Sequence, residues 1–466
     1  MVRQPTSAKR PRAARYRVAV NNPQTRPEQS TPATSGADPA SMNTPQMRRI
    51  LFSSFMGSAI EFYDFLLYAL ATSLVFNKVF FNNLSEGMDS VAGFATFAVG
   101  YLARPLGGYL FGRFGDTVGR KKMLVITMTL MGLATVGIGL LPDQNTIGVA
   151  APLLLLLLRV VQGIGLGGEI GGAVLVAVEH APGSRRGFAA SFANLGGPAG
   201  SFLAATVLGV FSANLSPEAF LSWGWRVPFL LSVVLVAIGM MVRLQVSETP
   251  LFRELEAKAD RKRRPARDIF VKHWRPLVIG IAAGLGGFAT QGFLSVWAVQ
   301  HAAAVGVAKP DILTIKAWAP LGMFFVMAFS AWISDKVGRR TVMLTACVVG
   351  VIGAFPLLFS LDSGTVAGAA VAIIAGQAIL QGSLFGPYTA FLSELFPTEV
   401  RYTGTSLAYQ SASTIGAGFS PLIAAALLTR FDTVVPIATV YVLAFCITAF
   451  AVWRAREGRT VNLAEV

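Results

Sequence analysis

Between Ile50 and Trp453 the chain is a near-continuous series of apolar windows, each long enough to cross a bilayer as a helix, separated by short charged loops. A hydrocarbon core about 30 Å thick takes roughly 20 residues at 1.5 Å per residue. Within a few residues the windows are 50–76, 89–112, 122–141, 148–175, 187–213, 223–244, 274–300, 311–333, 341–361, 364–392, 402–429 and 433–453. They predict an all-α membrane protein with twelve transmembrane helices. Only 14% of the 466 residues are charged, against about 25% in soluble domains. Uncharged runs such as 150–158 exclude a soluble enzyme. The two cysteines, Cys347 and Cys446, lie far apart inside apolar windows, and His180, His273 and His301 are scattered. Neither a disulfide scaffold nor a metal centre has material, so no metal and no cofactor is expected.

Residues 1–49 carry nine Lys or Arg against Glu28 and Asp38, and are rich in Pro, Ser and Thr. Such a segment cannot bury a core and is expected to be a disordered basic tail. A secretory leader would place its apolar run within the first thirty residues; here the run starts at Ile50 and contains Glu61 and Asp64, so it reads as a retained first span. Met42 or Met47 is an alternative start of translation. Lys and Arg fall almost wholly on one side of the windows, with ten in the loop 243–275 alone, while the other side has only Lys78, Lys309 and Arg430. By the positive-inside rule both termini are expected in the cytoplasm, in a bacterial-type inner membrane. The net charge of +15 follows from this topology. Anionic lipid is the expected partner of that charge, and nucleic acid is not.

The loop after the second window reads Gly112-Arg-Phe-Gly-Asp116-Thr-Val-Gly119-Arg120-Lys121-Lys122, and the loop after the eighth reads Ser334-Asp335-Lys-Val-Gly338-Arg339-Arg340. Glu179, Pro182, Arg186 and Ser191 recur as Glu394, Pro397, Arg401 and Ser406, each 215 residues on. The chain is therefore a duplicated six-helix unit, forming two pseudo-symmetric halves. The expected divisions are 50–244 and 274–453 for the two bundles, 245–273 for a basic linker and 454–466 for a second tail. Ala331 stands where the first repeat has Gly112, so the two loops need not pack alike.

These motifs resemble the major facilitator superfamily, whose signature between its second and third spans is a Gly, an Asp four residues on, then Gly-Arg and further cations. Glu61-Phe-Tyr63-Asp64, Arg104-Pro105-Leu-Gly107-Gly108, Arg159-Val-Val-Gln162-Gly163, Gly167-Gly168-Glu169, Trp223-Gly-Trp225-Arg226-Val-Pro228 and Glu394-Leu-Phe-Pro397 look like its metabolite:proton symporter branch. That resemblance covers about 50–455. It implies a secondary active transporter, not an enzyme, that works as a monomer by alternating access and moves a small molecule with protons. The branch carries organic acids such as shikimate, 2-oxoglutarate and citrate, or the zwitterions proline and betaine. The resemblance also implies a cytoplasmic gate, in which the loop carboxylate meets a helix N-terminus of the opposite half, where the macrodipole favours an anion. The gate set is Asp116, Gly119, Arg120, Lys121, Glu169, Glu179, Arg186, Asp335, Gly338, Arg339, Arg340, Glu394 and Arg401. Glu179 with Arg186, and Glu394 with Arg401, are expected as surface-proximal pairs of about 0–1 kcal/mol each.

Charges inside spans are the first site candidates, because one near the bilayer centre costs at least about 2.5–3.5 kcal/mol. Counting about 1.5 Å per residue from opposite ends puts Glu61 and Arg159 roughly 16 Å deep, at nearly one level. Glu61 and Asp64 are the expected proton carriers. Arg159, Arg104, Gln162, Tyr68, Gln291, Lys316, Gln381 and Tyr409 are the expected substrate ligands, with Gln377, Tyr388 and Gln410 as further polar candidates. The alternative is that Glu61 and Arg159 only neutralise each other for insertion. Three cations, Arg159, Arg104 and Lys316, favour an anionic mono- or dicarboxylate over a zwitterion. The string Gly163-Ile-Gly165-Leu-Gly167-Gly168 lacks the strand a dinucleotide site needs and reads as close helix packing. Gly196-Gly197-Pro198-Ala199-Gly200 only partly matches the glycine-proline motif of antiporters, which disfavours efflux.

Overall fold

The computed structural model describes residues 45–81, 88–245 and 265–459. The expected tail before residue 45, the middle of the linker (246–264) and the end of the second tail (460–466) lie outside the described residues. Backbone polar groups have no water partner in a bilayer, so an apolar chain must close its hydrogen bonds within each segment. The described residues accordingly form helices and no strand. The twelve long ones are α1 (Pro45–Ala71), α2 (Met88–Val118), α3 (Arg120–Leu140), α4 (Ala150–His180), α5 (Arg186–Asn214) and α6 (Arg226–Leu244), then α7 (Trp274–Ala304), α8 (Lys309–Val337), α9 (Arg339–Asp362), α10 (Val366–Leu395), α11 (Arg401–Phe431) and α12 (Val435–Arg454). All but α2 are long and apolar enough to cross a membrane by length and composition. α2 is 31 residues long and carries Arg104, Arg113 and Asp116.

Large apolar side chains face outward, with Phe325 69% and Ile352 70% exposed, while Asp64, Arg120, Arg339 and Gln410 are fully buried. This inversion of a soluble core marks a surface solvated by lipid. In the first half α1 packs on α5, α2 on α4, and α3 on α4 and α6; in the second, α7 packs on α11 and α12, α8 on α10, and α9 on α12. The halves meet where α2 and α4 face α11 and where α5 faces α8 and α10. Small residues set these distances. A β-carbon at Gly167 would overlap the Arg104 carbonyl, and one at Gly200 would overlap that of Ala59. The Gly196–Gly200 stretch of α5 therefore works as a seat for α1. α7, α10 and α11 each contain a π-helical stretch, Gln291–Trp297, Val371–Gln381 and Thr414–Gly418, a distortion common at functional sites.

Candidate functional site

At the end of the bundle that carries the basic loops, two reciprocal contacts join the halves. Asp116, at the end of α2, accepts the backbone N–H groups of Tyr402 (3.1 Å) and Thr403 (2.9 Å) and the Thr403 hydroxyl (2.7 Å). Asp335, at the end of α8, accepts those of Gly187 (2.8 Å) and Phe188 (2.9 Å). Each carboxylate thus caps the first turn of a helix from the other half, α11 or α5, where N–H groups have no intrahelical partner. A buried ion network surrounds each cap. Glu179 holds Arg120 and, at 3.2 Å, Arg401 from the opposite half. Arg339 bridges Asp335 (2.7 Å) and Glu394 (3.2 Å), and the Glu394 charge also acts on Arg186 and Arg401. The pairing joins Glu179 to Arg120 of its own half and to Arg401 of the other, and Glu394 to Arg339 of its own half. It is also buried rather than surface-proximal, with Arg120, Glu179 and Arg401 side chains at 0% exposure.

Gly119 (φ 123°) and Gly338 (φ 102°) let the chain turn sharply into α3 and α9. At Gly112 a β-carbon would lie 2.6 Å from the Thr403 Cα, so the first cap needs its glycine on α2; at the second cap the close approach is at Gly187, on the receiving helix, 2.9 Å from Asp335. Ala331 is tolerated for that reason. Three gate candidates lie elsewhere. Lys121 donates to the Leu244 carbonyl (2.7 Å) within its own half. Arg340 donates to the carbonyls of Val452 (3.1 Å) and Trp453 (2.7 Å). Glu169 is buried in an ion pair with Arg243 of α6, again within one half.

Deeper, a small cavity lies between the halves, lined by Glu61, Phe62, Phe65, Arg104, Phe288, Gln291, Tyr409 and Ser413. Four expected site residues meet here: Glu61 from α1, Arg104 from α2, Gln291 from the π-helical stretch of α7 and Tyr409 from α11. Arg104 stacks over Tyr101 at 4.2 Å and Phe65 at 5.0 Å, and its Nε has no hydrogen-bond partner among the described residues. Glu61 Oε2 has none either. The Tyr409 hydroxyl bonds Asn194 Oδ1 of α5 (3.1 Å), and the Asn194 amide donates to the Phe385 carbonyl (3.1 Å). Asn194, missed from sequence, ties the cavity floor across the halves.

Arg159 does not line this cavity. It sits 4.0 Å over the Tyr68 ring and donates to Gln162 (2.5 Å). From there a chain of hydrogen bonds runs through the Gln162 amide to the Thr135 hydroxyl (2.8 Å) and on to Asp64 (2.8 Å). Thr135 Oγ1 is also 3.0 Å from the Met131 carbonyl. A hydroxyl has one proton and two lone pairs, so Thr135 can donate to ionised Asp64, or accept from protonated Asp64 while donating to Met131. Lys316 is also apart, donating to the Ser295 carbonyl (3.0 Å), with Gln377 on the Ser295 hydroxyl. Gln381 is buried, its Oε1 has no hydrogen-bond partner among the described residues, and it does not line the cavity. Of the three cations expected around a substrate, only Arg104 faces the cavity. Gln410 donates to the Leu166 carbonyl (3.2 Å) and Tyr388 to that of Gly280 (3.1 Å), both helix-packing bonds.

A family model for the Major Facilitator Superfamily matches residues 50–421 and 300–464. The chain is 36% identical over 421 residues to a shikimate transporter of Escherichia coli K12, covering 90% of this chain and 96% of the relative. It is 40% identical over 391 residues to an inner membrane metabolite transport protein of the same organism, covering 82% and 88%. A proline/betaine transporter, also from that organism, is 33% identical over 391 residues, covering 82% and 77%. Among solved structures, a proton:xylose symporter bound to 6-bromo-6-deoxy-D-glucose superposes with a TM-score of 0.71 at 18% identity, over 88% of this chain and 94% of that one.

Proposed function

Because the chain belongs to the Major Facilitator Superfamily, a family of transporters rather than enzymes, we propose that it is a proton symporter importing a small hydroxylated carboxylate of the shikimate type. The observation that carries this reading is that Glu61 and Arg104 line one cavity between two halves whose basic end is shut. With Glu61 ionised the two charges balance. Once Glu61 takes a proton, Arg104 is left as an uncompensated cation, and its forked donors suit a carboxylate. Proton and anion then enter together. Gln291 and Tyr409 supply neutral hydrogen-bonding groups for substrate hydroxyls. Asp64, joined through Thr135 and Gln162 to Arg159, is a second proton carrier within the same half.

The asymmetry of Lys and Arg supports placing the basic end, and both chain termini, in the cytoplasm. Opening that end requires Asp116 and Asp335 to leave their helix N-termini, so the two caps are the latch of the outward-facing form. A zwitterion such as proline or betaine is the second reading. It is favoured by the same observation, since ionised Glu61 would meet the cationic group and Arg104 the carboxylate. Proteoliposomes with an imposed pH gradient and a panel of hydroxylated monocarboxylates, dicarboxylates, proline and betaine separate the two. Gradient-dependent accumulation of a hydroxylated monocarboxylate is expected; accumulation of the zwitterions alone would overturn the anion assignment.

A further inference from the structure

Glu169 and Arg243 are not part of the latch and do not line the central cavity, yet they form a buried ion pair in a chain otherwise frugal with charge. Their position is fixed by one stripe of α1. Glu61, Gly57 and the Ser53/Ser54 step follow each other at one-turn spacing on a single helical face. At Gly57 a β-carbon would lie 2.7 Å from Glu169 Oε1 and would overlap the Arg243 guanidinium, so the ion pair fills the notch that this glycine leaves. Glu169 is therefore held one helical turn, about 6 Å, from the level of Glu61 toward the basic end. Glu61 Oε2 and Glu169 Oε2 are both buried without a hydrogen-bond partner among the described residues. The charged groups acting on Glu61 are Glu169, Arg104 and Arg243.

On the far side of the pair a second, small cavity begins at Arg243 and is lined by Ser53, Ser54, Lys121, Leu124, Ala173 and Val176. All of these come from α1, α3, α4 and α6, so this cavity lies within the first half rather than between halves. Lys121 and the Leu244 carbonyl it binds place it at the basic end. Central cavity, Glu61, Glu169–Arg243 and this second cavity thus form a line through one six-helix bundle, which the latch across the halves does not obstruct.

We propose that the Glu169–Arg243 pair is a proton gate, separate from the substrate gate, through which Glu61 releases its proton to the cytoplasm. This rests on the reading of Glu61 as a proton carrier. With the pair intact, the buried guanidinium stands between Glu61 and the second cavity and repels protons, so substrate-free leak is blocked. In the release step the O–H bond of the Glu61 carboxyl breaks as it gives its proton to a bridging water, which passes one of its own to Glu169, so that Glu169 loses its charge and frees Arg243. Glu169 then passes the proton to cavity water, a hydronium ion leaves, and the carboxylate re-forms its pair with Arg243.

The test uses the full chain in proteoliposomes with a lumenal pH dye and an imposed membrane potential. Arg243→Gln should raise substrate-independent proton influx at least tenfold over wild type, because the barrier cation is gone while the relay carboxylate stays. The double variant Glu169→Gln/Arg243→Gln leaves no unpaired buried charge. It should return influx to the wild-type level and lose at least tenfold in substrate accumulation, while still exchanging substrate in counterflow, which needs no net proton release. The proposal is overturned if Arg243→Gln, active in counterflow, shows no added influx, or if the double variant accumulates substrate as wild type does. Absence of substrate-dependent proton movement in the wild type would instead bring down the symport reading itself, before the relay is at issue.

Discussion

Thr403 donates both its backbone N–H, at 2.9 Å, and its hydroxyl, at 2.7 Å, to one oxygen of Asp116, 287 residues away in sequence. An N-cap is ordinarily supplied by the residue just before the helix; here the opposite half supplies it, and Asp335 does the same for α5. Holding the halves together and finishing a helix are thus one interaction, which breaks as a unit. Asp116→Asn keeps one acceptor oxygen but removes the anion, at a cost of about 0.3–2 kcal/mol. The closed basic end should lose population roughly two- to thirtyfold. A reporter cysteine at Ser413 of the central cavity, in a background lacking Cys347 and Cys446, should be labelled more slowly from the far side of the membrane. Unchanged labelling would show that the cap does not set the balance of states.

Removing Glu179 should be costly because it is a buried anion between Arg120 and Arg401. Breaking one partner of a buried pair costs about 3–5 kcal/mol, since the remaining charge is uncompensated. Glu179→Gln should lower the unfolding temperature in detergent markedly, and Glu179→Gln/Arg401→Gln should recover part of the loss. A Glu179→Gln protein as stable as wild type would show that these arginines find other anions.

The cavity geometry predicts different outcomes at two arginines that sequence alone treats alike. Arg104→Lys keeps a cation facing the cavity but loses the fork, removing one or two charge-assisted bonds worth about 1.5–3 kcal/mol each, so substrate affinity should fall by tenfold or more. Arg159→Lys should leave affinity nearly unchanged and reduce accumulation instead, because Arg159 holds Gln162 in the Asp64 chain. Binding by the purified variants, compared with proton-driven uptake, separates the two.

The tail after α12 is a structural part of the second latch. Glu457 accepts the backbone N–H groups of Arg339 and Arg340, both at 3.0 Å, capping α9 from 118 and 117 residues away. Glu457→Gln should destabilise this end by about 0.5–2 kcal/mol, as loss of a cap does. Thermal unfolding and proteolysis at the basic end should both register it, and wild-type behaviour in both would remove the tail from the latch.

The fold was legible because bilayer thickness imposes a period on hydropathy, and because the repeat offset of 215 residues aligned Glu179 with Glu394 and Arg186 with Arg401. What an offset cannot show is whether a carboxylate pairs within its repeat or across to the other, and here Glu179 crosses to Arg401. Depth counting likewise put Arg159 near the level of Glu61 but carried no information on helix rotation, which turns Arg159 toward Tyr68 and leaves Arg104 in the cavity. Arg243 reads as a loop cation because it stands at the very end of an apolar window; its burial against Glu169 depends on a notch at Gly57 that no local pattern marks. Asn194 gave only the weak signal of a single amide in a glycine-rich span.

The central claim is that Glu61 carries a proton inward together with an anion held by Arg104. Proteoliposomes without any imposed gradient test it most directly, by following lumenal pH when a hydroxylated monocarboxylate is added outside. The account predicts acidification of the lumen that saturates with substrate and is abolished by Glu61→Gln while substrate exchange persists. No pH change, lumenal alkalinisation, or acidification of wild-type size in Glu61→Gln would contradict it.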